Sequence, residues 1–235
     1  AVDDIALKLL HNFVDLAMKT QSETFTRDFS YLVDCLRATI KRDFGLNHIV
    51  HKIVDNTVEL QHDNAGNTRT FTFSVWFKLS TIYTSLASGQ IQAILSVWDG
   101  SSDFGLLAFS GQAQGAASDK VNEIIYYDYD AGADYSLELN RSFGDTSAWY
   151  HLVFAVDTTD GTEANRVKYY INGELQTTNT NAHHGAFPQN RETGFNRTDE
   201  HAIGRWQGQA DRRFNGYMAE VNFVDGTQYD ASYFG

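Results

Sequence analysis

The sequence predicts a mainly β protein in which two antiparallel sheets pack as a sandwich, preceded by an N-terminal helical segment. Residues 70–79 alternate between apolar and polar side chains, as a strand with one buried face does. Residues 149–156 are apolar on both faces, which is typical of a central strand covered from both sides. After residue 55 no apolar stripe reaches helix length, and glycine marks most turns, so a two-sheet sandwich is the expected class.

Residues 1–54 differ in pattern from the rest of the chain and predict a two-helix attachment segment. Asp3 and Asp4 can cap the first helix, and Gly45 is well placed to end the second. Apolar side chains recur at helical spacing in two stretches: Ile5, Leu9, Phe13 and Leu16, and then Phe25, Phe29, Leu32, Leu36, Ile40 and Phe44. Two such helices cannot enclose a core, so we expect them to form a homo-oligomer or to bind other proteins. The alternative is a helical cap on the sandwich.

Residues 55–235 form the predicted sandwich domain. The expected strands are 58–60, 70–79, 91–98, 104–109, 123–129, 135–143, 149–156, 166–171, 201–206 and 214–224. Asn172-Gly173 predicts a type I′ hairpin turn, because both central residues of that turn need positive φ. On the last strand Tyr217, Ala219, Val221 and Phe223 are expected to face the core. Residues 227–235 are expected to lie across one end of the sandwich.

Residues 177–200 form a long polar connection that contains the only proline, Pro188. A connection of this length inside a compact domain is usually functional or mobile. We therefore predict a functional or mobile segment between residues 177 and 200. A second polar stretch, residues 207–213, is expected to be a loop.

The balance of charges argues against two classes of partner. With 18 Lys and Arg against 30 Asp and Glu, the formal net charge is −12, so neither a nucleic acid nor an anionic membrane is an expected partner. No apolar run of membrane-spanning length and no leader-like segment is visible, and we expect no membrane insertion. Cys35 is the only cysteine, which excludes an intrachain disulfide and fits assembly in a reducing cytoplasm.

Five segments resemble those of a known family. They are NTRTFTFSVWFKLS from Asn67, SAWYHLVFAVDTT from Ser147, NRVKYYINGE from Asn165, HAIGR from His201 and FNGYMAEVNFVDG from Phe214, with YFG closing the chain. In this order they resemble the laminin-G-like, concanavalin A-like jelly roll of the type found in phage and other virus structural proteins. The resemblance begins near residue 56. It implies the fold far more specifically than the function, because this sandwich hosts lectins, adhesion modules, glycosidases and structural domains.

The resemblance and the helical segment together imply a virion structural or appendage protein, such as a fibre, spike or decoration component. The helices would hold the chain in the assembly, and the sandwich would recognise a host-surface glycan or protein through many weak contacts. Such a protein would be located in the virion, after assembly in the host cytoplasm, or alternatively in the extracellular space. The rival functions are a purely structural module without ligand, a cellular carbohydrate-binding or adhesion domain, and an enzyme.

No arrangement of catalytic residues is evident, and we expect no enzymatic activity. Glycoside hydrolysis needs two carboxylates that face each other across a cleft. The resemblance implies a Glu-x-Asp-x-x-Glu strand in the retaining enzymes of this architecture, and nothing in the sequence matches it. There is also no Gly-x-Ser-x-Gly elbow, phosphate-binding loop or Cys–His arrangement.

Calcium is the cofactor that the resemblance implies, because some members of the family bind one calcium ion at a rim of the sandwich. Calcium takes six to eight oxygen ligands. Two loops are rich enough in oxygen donors: one carries Asp99 and Asp103, and the other carries Asp157, Asp160 and Asn165. The alternative is that both are ordinary turns, in which Asp and Asn side chains bond their own backbone.

Carbohydrate binding needs exposed aromatic rings for stacking beside polar groups that bond the sugar hydroxyls. The candidates are Trp98 with Asp99, Trp206 beside the loop that follows it, and Tyr127 and Tyr129 in the tyrosine-rich stretch EIIYYDYD. An aromatic residue in a β-sandwich belongs more often to the core, and that is the alternative for each of them.

Overall fold

The structure is a computed structural model that describes residues 48–54, 57–62, 64–85, 87, 90–110, 121–130, 132–180, 187–207 and 209–234. The two helices predicted before Gly45 lie outside the described residues. The chain divides into two compact units, residues 1–50 and residues 51–235. The second unit contains almost all of the described residues and is the sandwich.

The described strands form two sheets. Their bounds are β1 (His48–Val54), β2 (Thr57–His62), β3 (Thr70–Leu79), β4 (Ile91–Trp98), β5 (Phe104–Ser110), β6 (Glu123–Asp130), β7 (Ala133–Ser142), β8 (Tyr150–Asp157), β9 (Val167–Ile171), β10 (Glu174–Leu175), β11 (Thr178–Thr180), β12 (Glu200–Ile203), β13 (Arg205–Trp206), β14 (Gln209–Arg213) and β15 (Gly216–Asp225). A one-turn helix, α1 (Glu163–Arg166), precedes β9, and a 3₁₀ helix spans Ala231–Tyr233.

The large sheet has the order β1-β2-β12-β4-β5-β6-β7-β11, with β13 and β14 attached beside β4. The small sheet has the order β10-β9-β8-β3-β15. Neighbouring strands are antiparallel wherever a register is described, except that β14 runs parallel to β4. The chain crosses between the sheets from β3 to β4 and from β7 to β8, so the mainly β sandwich is confirmed and agrees with a jelly roll.

The core lies between the two sheets and is strongly aromatic. All five alternate residues of β3, from Phe71 to Leu79, are fully buried, which confirms the predicted inward face. Phe77 meets Phe109 of the large sheet with ring centroids 5.1 Å apart, and Phe154 of β8 meets Tyr126 at 5.0 Å. These edge-to-face pairs across the sandwich each add about 0.5–1.5 kcal/mol beyond the burial of their area.

The polar face of β3 is also buried, which the alternating pattern did not predict. Thr72 and Ser74 are at most 1% exposed. Residues 227–234, here called the C-terminal strap, lie across this outer side of the small sheet rather than across an end of the sandwich. The Thr72 hydroxyl donates to the carbonyl of Thr227 (2.7 Å) and accepts from the amide of Tyr229 (2.8 Å).

Two predictions for the middle of the chain are confirmed. β8 is buried on both faces from His151 to Val156, as expected for a central strand. Asn172 and Gly173 have φ values of 52° and 87°, so both take the left-handed conformation of a type I′ turn between β9 and β10. Trp149 differs from the prediction, because it precedes the strand and is 44% exposed.

A β-bulge divides the last strand, and the predicted inward face holds only after it. Ala219 pairs with Trp76 and Asn222 with Ser74, so two residues, Glu220 and Val221, oppose a single residue of β3. Glu220 has φ of 51° at this point. The extra residue shifts the alternation, so Phe223 packs against the core as predicted, whereas before the bulge Met218 takes the inward position. Tyr217 and Val221, which were also predicted to face the core, are 60% and 37% exposed.

Residues 200–213 form three short strands rather than the predicted strand followed by a loop. Gly204, with φ of 81°, separates β12 from β13. Residues 209–213 are the strand β14, which pairs with both β13 and β4. Hydrogen bonds to neighbouring backbone override the polar composition of this stretch.

The connection between β11 and β12 inserts into the sandwich over residues 187–199. Phe187 and Phe195 belong to the core, and Thr193 and Asn196 are fully buried. The backbone of this connection bonds to loops of the small sheet: the amide of Asn190 donates to the carbonyl of Thr158 (2.7 Å). This packing argues against a mobile segment at these positions, and the prediction that the connection is functional stays a prediction. Residues 181–186 lie outside the described residues.

Gly194 is the point of closest approach between this connection and β5. A Cβ atom on Gly194 would lie 2.7 Å from the amide nitrogen of Gly105 and 3.0 Å from the carbonyl carbon of Phe104. We expect Gly194→Ala to lower the free energy of unfolding by about 2–3 kcal/mol, measured by urea denaturation, because backbone must move to admit the methyl group. Gly144→Ala is the matched control, since a Cβ there meets nothing within 4 Å. Equal stability of the two variants would contradict this packing.

Candidate functional site

The side of the large sheet that faces away from the core, here called the outer face, carries most of the aromatic residues singled out from the sequence. Residues paired directly across antiparallel strands point to the same face. One such row consists of Trp98, Phe104 and Tyr129, and the next consists of Ser96, Leu106, Tyr127 and Ser136. Ala93, Ala108, Ile125 and Glu138 form a third row.

The aromatic side chains of this face gather around Phe104. Tyr127 meets it edge to face with centroids 5.0 Å apart, and Tyr129 lies nearly parallel to it at 5.8 Å. Trp206, from β13, lies against the Phe104 ring at 5.3 Å, and the guanidinium of Arg212 stands 4.6 Å above the indole. The result is an aromatic cluster built from three neighbouring segments of the fold. Phe104, Tyr127 and Tyr129 are partly exposed, whereas Trp206 is 8% exposed and belongs to the packed interior, which was the alternative to a binding role.

An apolar floor supports this aromatic cluster. It is formed by one buried cluster, Ile91, Ala93, Leu106, Ala108, Ile125 and Trp206 itself, against which Phe104 and Tyr127 pack. The Ser96 hydroxyl fastens β13 to the sheet, because it donates to the carbonyl of Arg205 (2.8 Å) and accepts from the amide of Gln207 (2.9 Å). The position of Trp206 over Phe104 therefore follows from backbone bonds and from packing.

Polar groups lie within the same face. Glu123 and Glu138 are 3% and 6% exposed, and Ser136 is 6% exposed opposite Tyr127. Among the residues that the structure describes, the Ser136 hydroxyl and the indole N–H of Trp206 have no hydrogen-bond partner. Both atoms are buried, and buried polar atoms are normally paired, so each is suited to bond an ordered water.

The structure brings Trp98, Tyr127, Tyr129 and Trp206 to one face, although whether they bind a ligand stays a prediction. Asp99 lies in the turn after β4 rather than on the face itself. Phe104, the centre of the cluster, was not among the sequence candidates. Phe104 and Leu106 are alternate residues of β5, so the sequence indicated that they share a face. The sequence pattern did not indicate which strands pair with β5.

A buried ion pair holds the connection 187–199 beneath the sheet. The Asp128 carboxylate, with no exposed surface, accepts from Nε and Nη2 of Arg191 (2.9 and 2.7 Å) and from the amide of Gly194 (2.7 Å). The phenol of Tyr126 donates to it at 2.9 Å. Burial raises the pKa of Asp128, although all four hydrogen bonds favour its charged form. Asp128 was not among the sequence candidates, and its partner Arg191 is 63 residues away in the chain.

The predicted calcium ligands make the bonds of ordinary turns. Oδ1 of Asp99 accepts from the amides of Ser101 (2.8 Å) and Asp103 (3.1 Å), and bonding to Ser101 lowers the pKa of Asp99. In the other loop Asp157 accepts from the amide of Thr159 (3.0 Å). In the described part of the chain no group of three or more His, Cys, Asp or Glu is placed to hold a metal ion. Calcium binding therefore stays a prediction.

The remaining residues of the second calcium loop are engaged in the same way. Asp160 accepts from the amide of Thr162 at 2.7 Å. Asn165 donates its amide to the carbonyl of Thr162 (3.0 Å), and its own carbonyl accepts from the side chain of Gln228 (2.8 Å). This geometry matches the alternative stated above, in which the loop residues bond their own backbone.

The outer side of the small sheet carries a buried histidine. Nε2 of His151 lies 2.8 Å from the Ser74 hydroxyl, and Trp76 stacks on the imidazole with centroids 4.9 Å apart. Burial lowers the pKa of His151, and the charge of Glu220 opposes this effect. Trp76 thus covers the neighbouring strand β8.

The architecture places the chain among the concanavalin A-like sandwich proteins. A family model, Laminin_G_3, described as the concanavalin A-like lectin/glucanases superfamily, matches residues 53–229. The match extends over most of the chain, and the chain belongs to this family. This confirms the laminin-G-like, concanavalin A-like resemblance. No curated protein matches the chain.

Solved structures with a similar fold include two carbohydrate-binding modules. The CBM40 module of the Ruminococcus gnavus IT-sialidase is 14% identical, with a TM-score of 0.46, over 71% of this chain and 81% of that one. CBM66 from Bacillus subtilis is 12% identical, with a TM-score of 0.39, over 73% and 84%. The enzymatically active domain of tailspike protein 2 from bacteriophage CBA120 is 13% identical, with a TM-score of 0.44, over 72% of this chain and 24% of that one.

Across the described residues, no helix combines the length and the apolar character needed to cross a membrane.

Proposed function

We propose that this domain is a non-enzymatic, lectin-like module that binds glycans on the outer face of the large sheet. The observation that carries the proposal is the grouping of the partly exposed rings of Trp98, Tyr127 and Tyr129 around Phe104, with the buried Trp206 packed against Phe104 as support. Aromatic rings offer faces on which the C–H side of a sugar stacks, and the neighbouring polar atoms can bond its hydroxyls. Membership in a family that contains lectins supports the same assignment.

The proposed setting is a virion appendage in which residues 1–54 hold several copies together. Multimerisation would turn weak individual sugar contacts into strong overall binding, because later contacts form at high effective concentration. The support for this setting is the order of the family-like segments and the amphipathic pattern of residues 5–44; residues 48–54 form β1. The rival settings are a structural module without ligand and a cellular adhesion domain. Light scattering of the purified chain separates a discrete multimer, which this setting requires, from a monomer.

The test is a glycan array followed by calorimetry on the glycans that bind. Tyr129→Ala should weaken binding at least about tenfold, or about 1.4 kcal/mol, because it removes a stacking surface beside Phe104. Tyr217→Ala is the matched control: it removes an exposed tyrosine from the small sheet and should leave affinity unchanged. A blank array with and without calcium would favour the structural rival. Equal binding by the two variants would move the site away from the outer face.

A further inference from the structure

His201 occupies a position that accepts only the neutral form of its imidazole. It lies on β12 and is 3% exposed. Nε2 accepts a hydrogen bond from the backbone amide of Asn196 (3.0 Å), so that nitrogen carries no proton. Nδ1 lies 2.8 Å from the carbonyl of Asp199 and therefore carries the proton that it donates there. Protonating Nε2 would set a second donor against the Asn196 amide, and the bond would be lost.

This bond closes the connection over the core and beneath the proposed binding face. The ring of Phe195 stands 6.3 Å from His201, and Gly194 packs against the backbone of Phe104 and Gly105. Glu200, the neighbour of His201, pairs with Trp98. The hydrogen bond between Asn196 and His201 is therefore connected to the outer face through chain neighbours. Gly194 contacts Phe104, and Glu200 pairs with Trp98.

Several neighbouring elements carry charged groups. On β6, Asp128 pairs with Arg191 and Asp130 pairs with Arg197 at 3.3 Å. On β15, Asp225 accepts a hydrogen bond from the side chain of Asn196 at 2.6 Å. Asp199 and Glu200 lie next to His201 in the chain, and Asp99 follows β4. The carboxylates would favour an imidazolium nearby, but they do not restore the hydrogen bond that the Asn196 amide loses.

We propose that His201 is an acid-sensitive latch: below about pH 6 its protonation releases residues 193–199 and loosens the Phe104–Trp98 end of the outer face. The release of residues 193–199 is a property of the fold and does not depend on the proposed function. Its consequence, weaker glycan binding in acid, rests on the function proposed above. The sequence contains 8 histidines, so substitution of His201 is needed to assign the acid response to it.

The first measurement is amide hydrogen exchange of the full chain at pH 7.5 and pH 5.5, corrected for the intrinsic pH dependence of exchange. Peptides covering residues 193–203 and 104–110 should exchange at least tenfold faster in acid. His201→Gln should abolish this difference, since a glutamine amide can accept from Asn196 and donate to Asp199 without titrating. His151→Gln is the matched control: it removes a buried histidine from the small sheet and should keep the difference.

A second measurement uses the unmutated chain, so its result does not depend on whether the variant folds. Long-range proton–nitrogen spectra of the histidine rings should show His201 with a bare Nε2 at pH 7.5. A protonated Nε2 at pH 7.5, equal exchange at the two pH values, or an acid response retained by His201→Gln would each overturn the latch. The glycan array read at both pH values then tests the consequence: hits that fade at pH 5.5 support it. A glycan array that is blank at both pH values would contradict the proposed glycan binding, and the hydrogen-exchange test of the latch would still be valid.

Discussion

Arg191→Met should lower the free energy of unfolding by about 3–5 kcal/mol, the usual cost of removing one partner from a buried ion pair. Asp128 would keep only the Gly194 amide and the Tyr126 phenol as donors, in a site with no exposed surface. Arg191 also stacks on Tyr135 at 4.6 Å, and this contact is lost as well. Chemical denaturation at pH 7 measures the effect.

The pH dependence of this loss has a definite sign. Burial raises the folded-state pKa of Asp128 above its ordinary value. The charged carboxylate therefore lowers the free energy of unfolding as the pH rises through that folded-state pKa, and protonation in acid removes this penalty. Without Arg191 the pKa rises further. The stability deficit of Arg191→Met should therefore shrink as the pH is lowered from 7 towards 4. A deficit that stays constant or grows in acid would show that the carboxylate is not its source.

Two further variants test the same ion pair. Asp128→Asn combined with Arg191→Met should recover part of the lost stability, because the buried group is then neutral. Glu192→Gln is the matched control in the same connection: Glu192 pairs with Arg69 at 2.7 Å, but both side chains are exposed. Removing such a surface pair should cost less than about 1 kcal/mol.

Phe195→Ala should cost about 3–5 kcal/mol, as truncation of a fully buried phenylalanine does. Its ring lies among Phe71, Tyr126 and Phe154, at centroid distances of 6.0, 5.7 and 6.5 Å, so the cavity would open in the centre of the core. For a chain of this size each kilocalorie lowers the melting temperature by about 2–4 °C, and the total shift should be about 10 °C. Thermal unfolding followed by circular dichroism measures it.

The control for Phe195→Ala is an apolar truncation at the surface. Leu175 is 60% exposed in the hairpin strand β10, and Leu175→Ala should change stability by less than about 0.5 kcal/mol. If Phe195→Ala were equally mild, the connection 187–199 would not be part of the core, and the original prediction of a mobile segment would be restored.

Local patterns predicted those elements whose structure depends on near neighbours in the chain. The alternation of β3 predicted its inward face, the apolar run of β8 predicted a central strand, and Asn172-Gly173 predicted its turn. Each of these follows from side-chain periodicity or from backbone dihedral preference. The same patterns failed at the bulge of β15, because an inserted residue reverses the alternation without leaving a mark in the sequence.

The candidate site was predictable as a set of residues but not as a surface. Trp98, Tyr127, Tyr129 and Trp206 were named from the amino-acid types around them. The pairings of β4 with β5 and of β5 with β6, together with the β13–β14 hairpin, bring them close to Phe104. Strand order in a sheet depends on contacts between residues far apart in the chain, and a single sequence does not contain that information.

By itself the sequence determined the fold class, the inward face of β3, the hairpin turn and the family, since these rest on periodicity, turn chemistry and ordered motifs. The tertiary structure alone decided that Phe187 and residues 193–196 of the polar connection are buried. Its phenylalanines complete an aromatic cluster, and its Arg191 neutralises a carboxylate that β6 turns inward. A polar stretch is buried when partners elsewhere in the fold satisfy its polar groups, and those partners are positioned only when the sheets assemble.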